Sequence, residues 1–104
     1  MKFYKNLYIG NTIKNPNQVK RKIKHHTKQL NIFVIMLSRN DDQLEICHNM
    51  LLRQPFYKKK ENEPFLIGIA GSYEEAVELV CRITEETVAQ NGNADLKRYL
   101  FPET

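Results

Sequence analysis

One stretch of the chain joins a strand pattern to a helix pattern: FLIGIAGSYEEAVELVCRITEETVAQNG, residues 65–92. Its beginning, residues 65–70, is a short apolar run that is typical of a buried strand. Ser72 precedes Glu75 by three residues, which is the spacing of a capping box that opens a helix. Gly92 predicts the end of that helix, because glycine readily adopts the left-handed conformation of a C-cap. The stretch therefore predicts a strand, a turn and a long helix.

The predicted helix has an apolar side and an acidic side. One broad arc of the helical wheel collects Tyr73, Ala76, Val77, Leu79, Val80, Cys81, Ile83 and Val88. The opposite arc collects Glu74, Glu75, Glu78, Arg82, Glu85 and Glu86. Such a helix packs its apolar arc on a sheet and leaves its carboxylates in water, so these glutamates do not predict a catalytic acid–base pair. Residues that we expect in the core are Val34, Ile35, Ile67, Ile69, Val77 and Val80.

The amino-terminal part repeats this scheme with the opposite charge. Residues 7–9 predict a short strand, and Asn15 followed by Pro16 predicts a helix start. The predicted helix extends from Asn17 to Leu30. Its apolar stripe is narrow, so it should lie on the surface with a basic outer side. The cations on that outer side are Lys20, Arg21, Lys24 and Lys28, and Lys14 lies just before the helix.

The middle of the chain permits two interpretations. Residues 32–37 are an apolar run, typical of a central strand whose faces are both covered. Residues 42–53 fit a capped helix, since apolar residues recur there at helical spacing. They also fit a strand, in which Asn40-Asp41 is a hairpin turn and Leu44 and Ile46 point to the same side. We prefer the helix, because it would cover the second face of the sheet.

These elements predict an α/β fold with one domain over residues 1–104. In the preferred arrangement strands and helices alternate in the order β-α-β-α-β-α, as a small three-layer sandwich around a short, mostly parallel sheet. The alternative is a two-layer α+β domain with a hairpin at Asn40-Asp41 and both long helices on one face. An antiparallel ladder between the second and third strands would favour the alternative.

Charge is distributed unevenly along the chain. Residues 1–40 contain nine Lys or Arg and no Asp or Glu, whereas residues 41–104 contain seven basic and twelve acidic residues. The resulting polarity favours a basic surface for an anionic partner. It is also compatible with pairing inside the domain, in which the basic helix would contact Glu74, Glu78 and Glu85 of the acidic helix.

The composition is that of a globular protein. The chain is 41% hydrophobic and 27% charged, which is not typical of a disordered segment. Its longest apolar run is too short to span a bilayer and its start lacks a signal-type segment, so we expect a cytoplasmic protein without membrane contact. Cys47 and Cys81 both fall within apolar patterns, so we expect two free structural thiols.

The segment FLIGIAGSYEEAVELV, residues 65–80, resembles a group of small bacterial proteins that have no assigned activity. The upstream segment QPFYK, residues 54–58, shares this resemblance, which extends from Leu44 to Val80, about a third of the chain. A strand, a glycine turn and a capped helix occur in many unrelated α/β domains. The resemblance implies a bacterial, cytoplasmic accessory protein, and it carries over no catalytic or binding residue.

Patterns that carry catalytic chemistry are sparse. Cys47 and His48 are adjacent, so their side chains point in different directions and do not predict a thiolate with its base. His25 and His26 lack the i, i+4 spacing of a helical metal site. We therefore assign no catalytic residue, no metal site and no cofactor.

A candidate ligand site lies where the predicted strands end. Gly71 and Ser72 open a helix, whose free amides can bind an anion, but the lysine of a phosphate loop is missing. If the sheet is parallel, the carboxyl ends of its strands meet along one rim, where open α/β sheets bind ligands. The polar and glycine residues expected at that rim are Asn11, Thr12, Ser38, Arg39, Asn40, Gly71 and Ser72.

The sequence favours a binding role over catalysis. Our preferred interpretation is a small accessory protein that acts through a protein partner or through self-association. The alternative is a nucleic-acid-binding protein that uses the basic helix, because lysine and arginine can neutralise phosphates. A second alternative is an enzyme that binds a small molecule or anion at the rim, which a pocket with two titratable groups there would support.

Overall fold

A mixed four-stranded sheet organises the fold. The computed structural model describes residues 2–25, 30–37 and 43–101. The strands are β1 (Lys2–Ile9), β2 (Phe33–Leu37), β3 (Leu44–His48) and β4 (Phe65–Ala70). They lie in the order β1-β4-β2-β3. β1 and β4 are parallel, and β2 is antiparallel to both of its neighbours.

Four α-helices accompany the sheet in the described part of the chain. They are α1 (Pro16–Lys24), α2 (Pro55–Lys58), α3 (Tyr73–Asn91) and α4 (Leu96–Leu100). Short 3-10 helices, Asn49–Arg53 and Lys60–Asn62, lie on either side of α2. The protein is thus a small α+β domain. Among the described helices, none has the length and apolar character that crossing a membrane would require.

The β4–α3 unit forms as the sequence predicts. The Oγ atom of Ser72 accepts a hydrogen bond from the Glu75 backbone N–H at 3.1 Å and so caps the start of α3. The helix ends at Gly92, whose φ of 76° lies in the left-handed region. Glycine adopts this conformation without the steric penalty of a Cβ atom. Both ends of α3 are therefore confirmed.

The helix predicted over residues 42–53 is wrong. β3 occupies part of this segment and pairs with β2 in an unbroken antiparallel ladder from Phe33–His48 to Leu37–Leu44. Leu44 and Ile46 both pack on the same side, as the strand interpretation requires. Pairing with β3 also gives hydrogen-bond partners to the backbone N–H and C=O groups along one edge of β2. A short helix at residues 42–53 would leave those groups unpaired. The proposed turn at Asn40-Asp41 lies outside the described residues.

The sheet is consequently mixed rather than mostly parallel. Only the β1–β4 pair is parallel among the strand pairs of the described residues. The elements follow each other as β-α-β-β-α-β-α-α when the 3-10 helices are left aside, so the alternating order β-α-β-α-β-α is wrong. The predicted three-layer arrangement assigned the second face of the sheet to a helix at residues 42–53; that helix does not form, and α1 packs on that face instead.

Two apolar clusters pack against the sheet. Cluster A contains Ile35, Ile67, Ala70, Ala76, Leu79, Ile83, Leu96 and Leu100. Cluster B contains Ile23, Ile32, Val34, Met36, Leu52, Leu66 and Ile69. Successive residues of β2 alternate between the clusters, so the clusters lie on opposite faces of the sheet. Because α3 belongs to cluster A and α1 to cluster B, the two-layer alternative with both helices on one face is also wrong.

The predicted core is confirmed except on one side of α3. The fully buried residues of the predicted set are Val34, Ile35, Ile67 and Ile69. Val80 is half-buried, but Val77 is 38% exposed, so its predicted burial is wrong. The buried line of α3 consists of Ala76, Leu79, Ile83 and Thr87. The apolar arc on the helical wheel of α3 is therefore wider than the side of the helix that packs against the sheet.

α1 is shorter than predicted. The sequence predicts a helix from Asn17 to Leu30, but α1 ends at Lys24 and Leu30 is not helical. Residues 26–29 lie outside the described part of the chain. Ile23 is the last buried residue of α1, and the sequence offers no apolar side chain at the next positions of that stripe. A further turn would therefore have little to pack against.

β1 is longer than the strand predicted at residues 7–9. It begins at Lys2 and pairs with β4 near both of its ends, with a register shift between Phe3 and Tyr8. Phe3 packs against cluster B and Tyr4 against cluster A. The first residues of the chain thus bury apolar side chains on both faces of the sheet.

Candidate functional site

Part of the predicted rim assembles at the carboxyl ends of β1 and β4. Thr12 follows β1, and it meets the start of α3 through contacts beside Gly71 and Ser72. Asn11 lies in the same turn as Thr12. β2 runs antiparallel to β4, so its last residue, Leu37, lies at the other end of the sheet. The remaining rim candidates, Ser38, Arg39 and Asn40, are outside the described residues.

Glu75 holds the donors that an anion would use at this rim. Its carboxylate accepts hydrogen bonds from the Gly71 N–H at 2.8 Å, the Thr12 N–H at 3.2 Å and the Thr12 hydroxyl at 2.7 Å. The Gly71 hydrogen bond, with smaller contributions from Thr12, lowers the pKa of Glu75 below its ordinary value. The carboxylate is therefore ionised at neutral pH and lies where a bound anion would lie.

Gly10 makes room for this carboxylate. A Cβ atom at Gly10 would collide with Oε1 of Glu75, and one at Gly71 would collide with the Thr12 hydroxyl. Glu75 also departs from the capping box, because its side chain bonds to Gly71 rather than back to Ser72. A ligand anion would have to displace Glu75 from this position. Ligand binding by the rim residues stays a prediction.

Replacing Glu75 should change how stability depends on pH. Because the folded protein lowers the pKa of Glu75, the ionised carboxylate stabilises the fold above the ordinary pKa of about 4.5. We expect Glu75→Gln to reduce the free energy of unfolding by about 1 kcal/mol at pH 7, since nearby water replaces part of each hydrogen bond. The difference from wild type should shrink as the pH falls through the lowered pKa of the folded state.

Urea titrations at pH 7 and at pH 3 measure this effect. Glu74→Gln is the matched control, because Glu74 is exposed, lies in the same helical turn and loses the same charge. Equal losses from Glu74→Gln and Glu75→Gln would contradict the role assigned to the hydrogen bonds of Glu75.

A second polar cluster lies between β1 and α3. Glu86 accepts hydrogen bonds from the Tyr8 hydroxyl at 2.6 Å, the Tyr99 hydroxyl at 3.1 Å and Nε of Arg82 at 3.2 Å. The Arg82 guanidinium also lies 5.3 Å from the centre of the Tyr8 ring. These side chains line a cavity of about 450 Å³ at the edge of β1, together with Asn6. The sequence pattern placed Glu86 and Arg82 on a solvated helix face and gave no signal for the two tyrosines.

Near neutral pH, Tyr8 keeps its proton and Glu86 stays ionised. Burial, with the hydrogen bond to Glu86, raises the pKa of Tyr8, and the hydrogen bond from Tyr8 lowers the pKa of Glu86. The proton consequently stays on Tyr8 at neutral pH. A carboxylate that acts as a general base near neutral pH needs a raised pKa, which Glu86 does not have. The cluster therefore has a structural role, because hydrogen bonds to Glu86 of α3 connect it with Tyr8 of β1 and Tyr99 of α4.

Both cysteines are free, as the sequence predicts, but Cys81 is exposed, so its expected role as a structural thiol in the apolar packing is wrong. Burial raises the pKa of the Cys47 thiol to about 11, so it is protonated at neutral pH. Cys47 packs against cluster B, whereas the neighbouring His48 contacts Phe33 on the side of cluster A. Nδ1 of His48 accepts from the Met50 N–H at 3.1 Å, which places the proton on Nε2, facing the side-chain oxygen of Asn31. His48 thus has a structural role and does not activate Cys47.

The most extensive charged feature is a basic face on the side of cluster B. Two distant parts of the chain pack there, α1 through Val19 and Ile23 and the segment 49–58 through Leu52 and Tyr57. The basic face consists of the cations in these parts and directly beside them: Lys14, Lys20, Arg21, Lys22, Lys24, Arg53, Lys58, Lys59 and Lys60. Residues 14–25 have a net charge of +5 and residues 53–63 a net charge of +2. The sequence analysis identified only the first of these segments as a candidate site.

The basic face is not neutralised from within the described part of the chain. There, none of its cations forms an ion pair with a carboxylate. The proposed pairing of the basic helix with the acidic helix is wrong, because α1 and α3 lie on opposite faces of the sheet. The remaining candidate, Lys28, is outside the described residues. The uneven distribution of charge along the sequence therefore corresponds to an uneven distribution of charge over the surface, with basic side chains on the side of cluster B and carboxylates of α3 on the side of cluster A.

Two lysines of the basic face are held over an aromatic ring. The Nζ atoms of Lys20 and Lys24 lie 5.6 Å and 5.5 Å from the centre of the Phe3 ring. These are cation–π distances, which stabilise an exposed ammonium group by about 0.5 to 1 kcal/mol. Phe3 thus orders two charges at the border between α1 and the edge of β1.

Comparison with known proteins adds no relative. No protein-family model, no curated protein and no solved structure matches this chain.

Proposed function

We propose that this protein binds nucleic acid through its basic face and does not catalyse a reaction. The observation that supports the proposal is the convergence of two basic segments, α1 and residues 53–60, on one face of the sheet. Cations on one face of the sheet that form no ion pair with a described carboxylate can neutralise phosphates and release the counterions of the nucleic acid. Such contacts bind without reading the sequence of the bases.

The side chains on and beside α1 support phosphate contacts rather than base stacking. Phe3 lies beneath two lysines, so its ring is shared with cations and is not a free platform for a base. Arg21, Lys22 and Lys24 are exposed on the outer side of α1. We therefore favour duplex nucleic acid, with an affinity that depends steeply on salt.

Titration of a labelled duplex at about 50 mM and 200 mM salt tests this proposal. If the face makes about six phosphate contacts, affinity should fall about 1,800-fold between these two salt concentrations. Removing two contacts should reduce that fall to about 150-fold, and it should also weaken binding at the lower salt. Undetectable binding at 50 mM salt would overturn the proposal.

Three variants that each remove two positive charges separate the basic face from a general charge effect. The first is Arg21→Gln with Lys24→Gln on α1, and the second is Lys58→Gln with Lys59→Gln in the other segment. Both should weaken binding and flatten its salt dependence. The control, Lys97→Gln with Arg98→Gln, lies on α4, on the side of cluster A. An equal loss in the control would contradict a localised interface.

A further inference from the structure

The outer side of α3 carries apolar residues that the fold leaves exposed. Tyr73 is 54% exposed, Val77 38% and Val88 45%. Cys81 and Thr84 are exposed between them. The spacing of three or four residues puts these five side chains on one stripe of the helix, which we call the outer row. Single exposed apolar residues are common on protein surfaces, but a row along a helix in which only Thr84 is polar is characteristic of a contact site.

A cavity of about 320 Å³ adjoins the outer row at Thr84. It lies between α3, the start of β3 and the segment that leads into α4. Its lining is largely apolar and includes Leu44, Val80, Ala94 and Leu96. A cavity of this size can accept one large apolar side chain from outside.

Carboxylates border the outer row on its solvent side. Glu74, Glu78 and Glu85 are exposed, and none of their carboxylates forms an ion pair or a hydrogen bond within the described residues. Two copies of the chain that packed row against row would bring these carboxylates together, which is unfavourable. The charge of this surface instead complements lysine and arginine.

We propose that the outer row and the adjoining cavity bind a basic amphipathic helix of another protein. The row extends over about four helical turns, or about 22 Å, which matches one helix laid along α3. Apolar residues of the partner at a spacing of three or four would contact Val77 and Val88, with one side chain in the cavity. Its lysines and arginines would contact Glu74, Glu78 and Glu85. This surface lies on the side of cluster A, away from the basic face, so it is independent of nucleic-acid binding.

A synthetic helical peptide tests this inference on the full chain. The probe is an 18-residue peptide with leucines at a spacing of three or four and lysines between them, and the control is a scrambled peptide of the same composition. In amide NMR spectra of the labelled protein, the probe should cause saturable shifts along residues 73–88, with an affinity at least about tenfold above that of the scrambled peptide. The peptide carries no phosphate, so the result does not depend on the nucleic-acid proposal.

Variants on the surface identify which contacts are used. Val77→Ser with Val88→Ser should weaken binding of the probe at least about tenfold, whereas Phe56→Ser, at an apolar residue that is 58% exposed elsewhere, should leave it unchanged. Glu74→Gln, Glu78→Gln and Glu85→Gln together should weaken binding and reduce its dependence on salt. Native-like NMR spectra of each variant would show that the fold is intact.

Three results would overturn the inference. They are equal binding of the probe and the scrambled peptide, binding that is unchanged by Val77→Ser with Val88→Ser, and shifts that map outside α3. Sedimentation of the unliganded protein covers a further alternative. If the protein dimerises and the shifts of α3 amides depend on dilution, a second copy covers the outer row instead of a partner helix.

Discussion

Ile67→Ala is expected to reduce the free energy of unfolding by about 2 to 5 kcal/mol. Ile67 lies in the middle of β4, has no exposed surface and packs in cluster A with residues such as Leu79 and Ile83. Truncation removes apolar burial and leaves a cavity that surrounding side chains fill only in part. For a domain whose total stability is about 5 to 15 kcal/mol, this is a large fraction.

Val77→Ala is the matched control for this prediction. The sequence pattern placed both residues in the core, but the structure exposes Val77 on the outer row. Alanine is also the better helix former, which offsets the small loss of contacts. Urea denaturation of the three proteins measures the difference. A loss below about 1 kcal/mol for Ile67→Ala, or an equal loss for Val77→Ala, would contradict the packing described for α3.

Asn49→Ala should cost about 1 to 3 kcal/mol, because it leaves a buried donor without an acceptor. The side-chain oxygen of Asn49 accepts the Ile32 N–H at 2.9 Å, and the Asn49 N–H donates to the Ile32 carbonyl at 3.0 Å. Both residues are buried, so water does not replace the missing acceptor. These two hydrogen bonds connect Ile32, which directly precedes β2, with Asn49, which directly follows β3.

Hydrogen exchange at Ile32 gives this prediction a local readout. In the wild type the Ile32 amide should exchange slowly, and in Asn49→Ala it should exchange markedly faster than its neighbours in β2. Asn17→Ala serves as the control, since Asn17 is exposed on α1 and alanine suits a helix. An unchanged exchange rate at Ile32 would show that another group satisfies this amide.

Features of the fold that depend on local signals were predictable from the sequence. Ser72 and Gly92 define the ends of α3 through interactions within a few residues, and the same is true of the apolar run in β4. Residues 42–53 carried two local patterns, helical and alternating. The strand forms because residues 44–48 pair with β2 through backbone hydrogen bonds. The spacing of apolar residues along the chain does not reveal such pairing between segments.

The functional features depended more on contacts between distant residues. The sequence identified Lys20, Arg21 and Lys24 as a basic surface, but only the packing of Leu52 and Tyr57 places a second basic segment on the same face of the sheet. The roles of two glutamates were not predictable for the same reason. Glu75 meets Thr12, and Glu86 meets Tyr8, at separations of more than sixty residues. Neither contact can be predicted from the spacing of residues along the chain or from the composition.

The strand order β1-β4-β2-β3 also determines when the sheet can be completed during synthesis. β4 lies between β1 and β2, although the ribosome produces it after both. Until Phe65–Ala70 has emerged, β1 has no partner in the sheet, and the β2–β3 pair keeps an open edge at β2. Closing the long loop that brings Lys2 beside Phe65 is entropically costly, which slows this parallel pairing. A nascent chain that stalls before residue 65 therefore exposes unpaired strand edges. We expect this protein to be most prone to aggregation at that stage of synthesis.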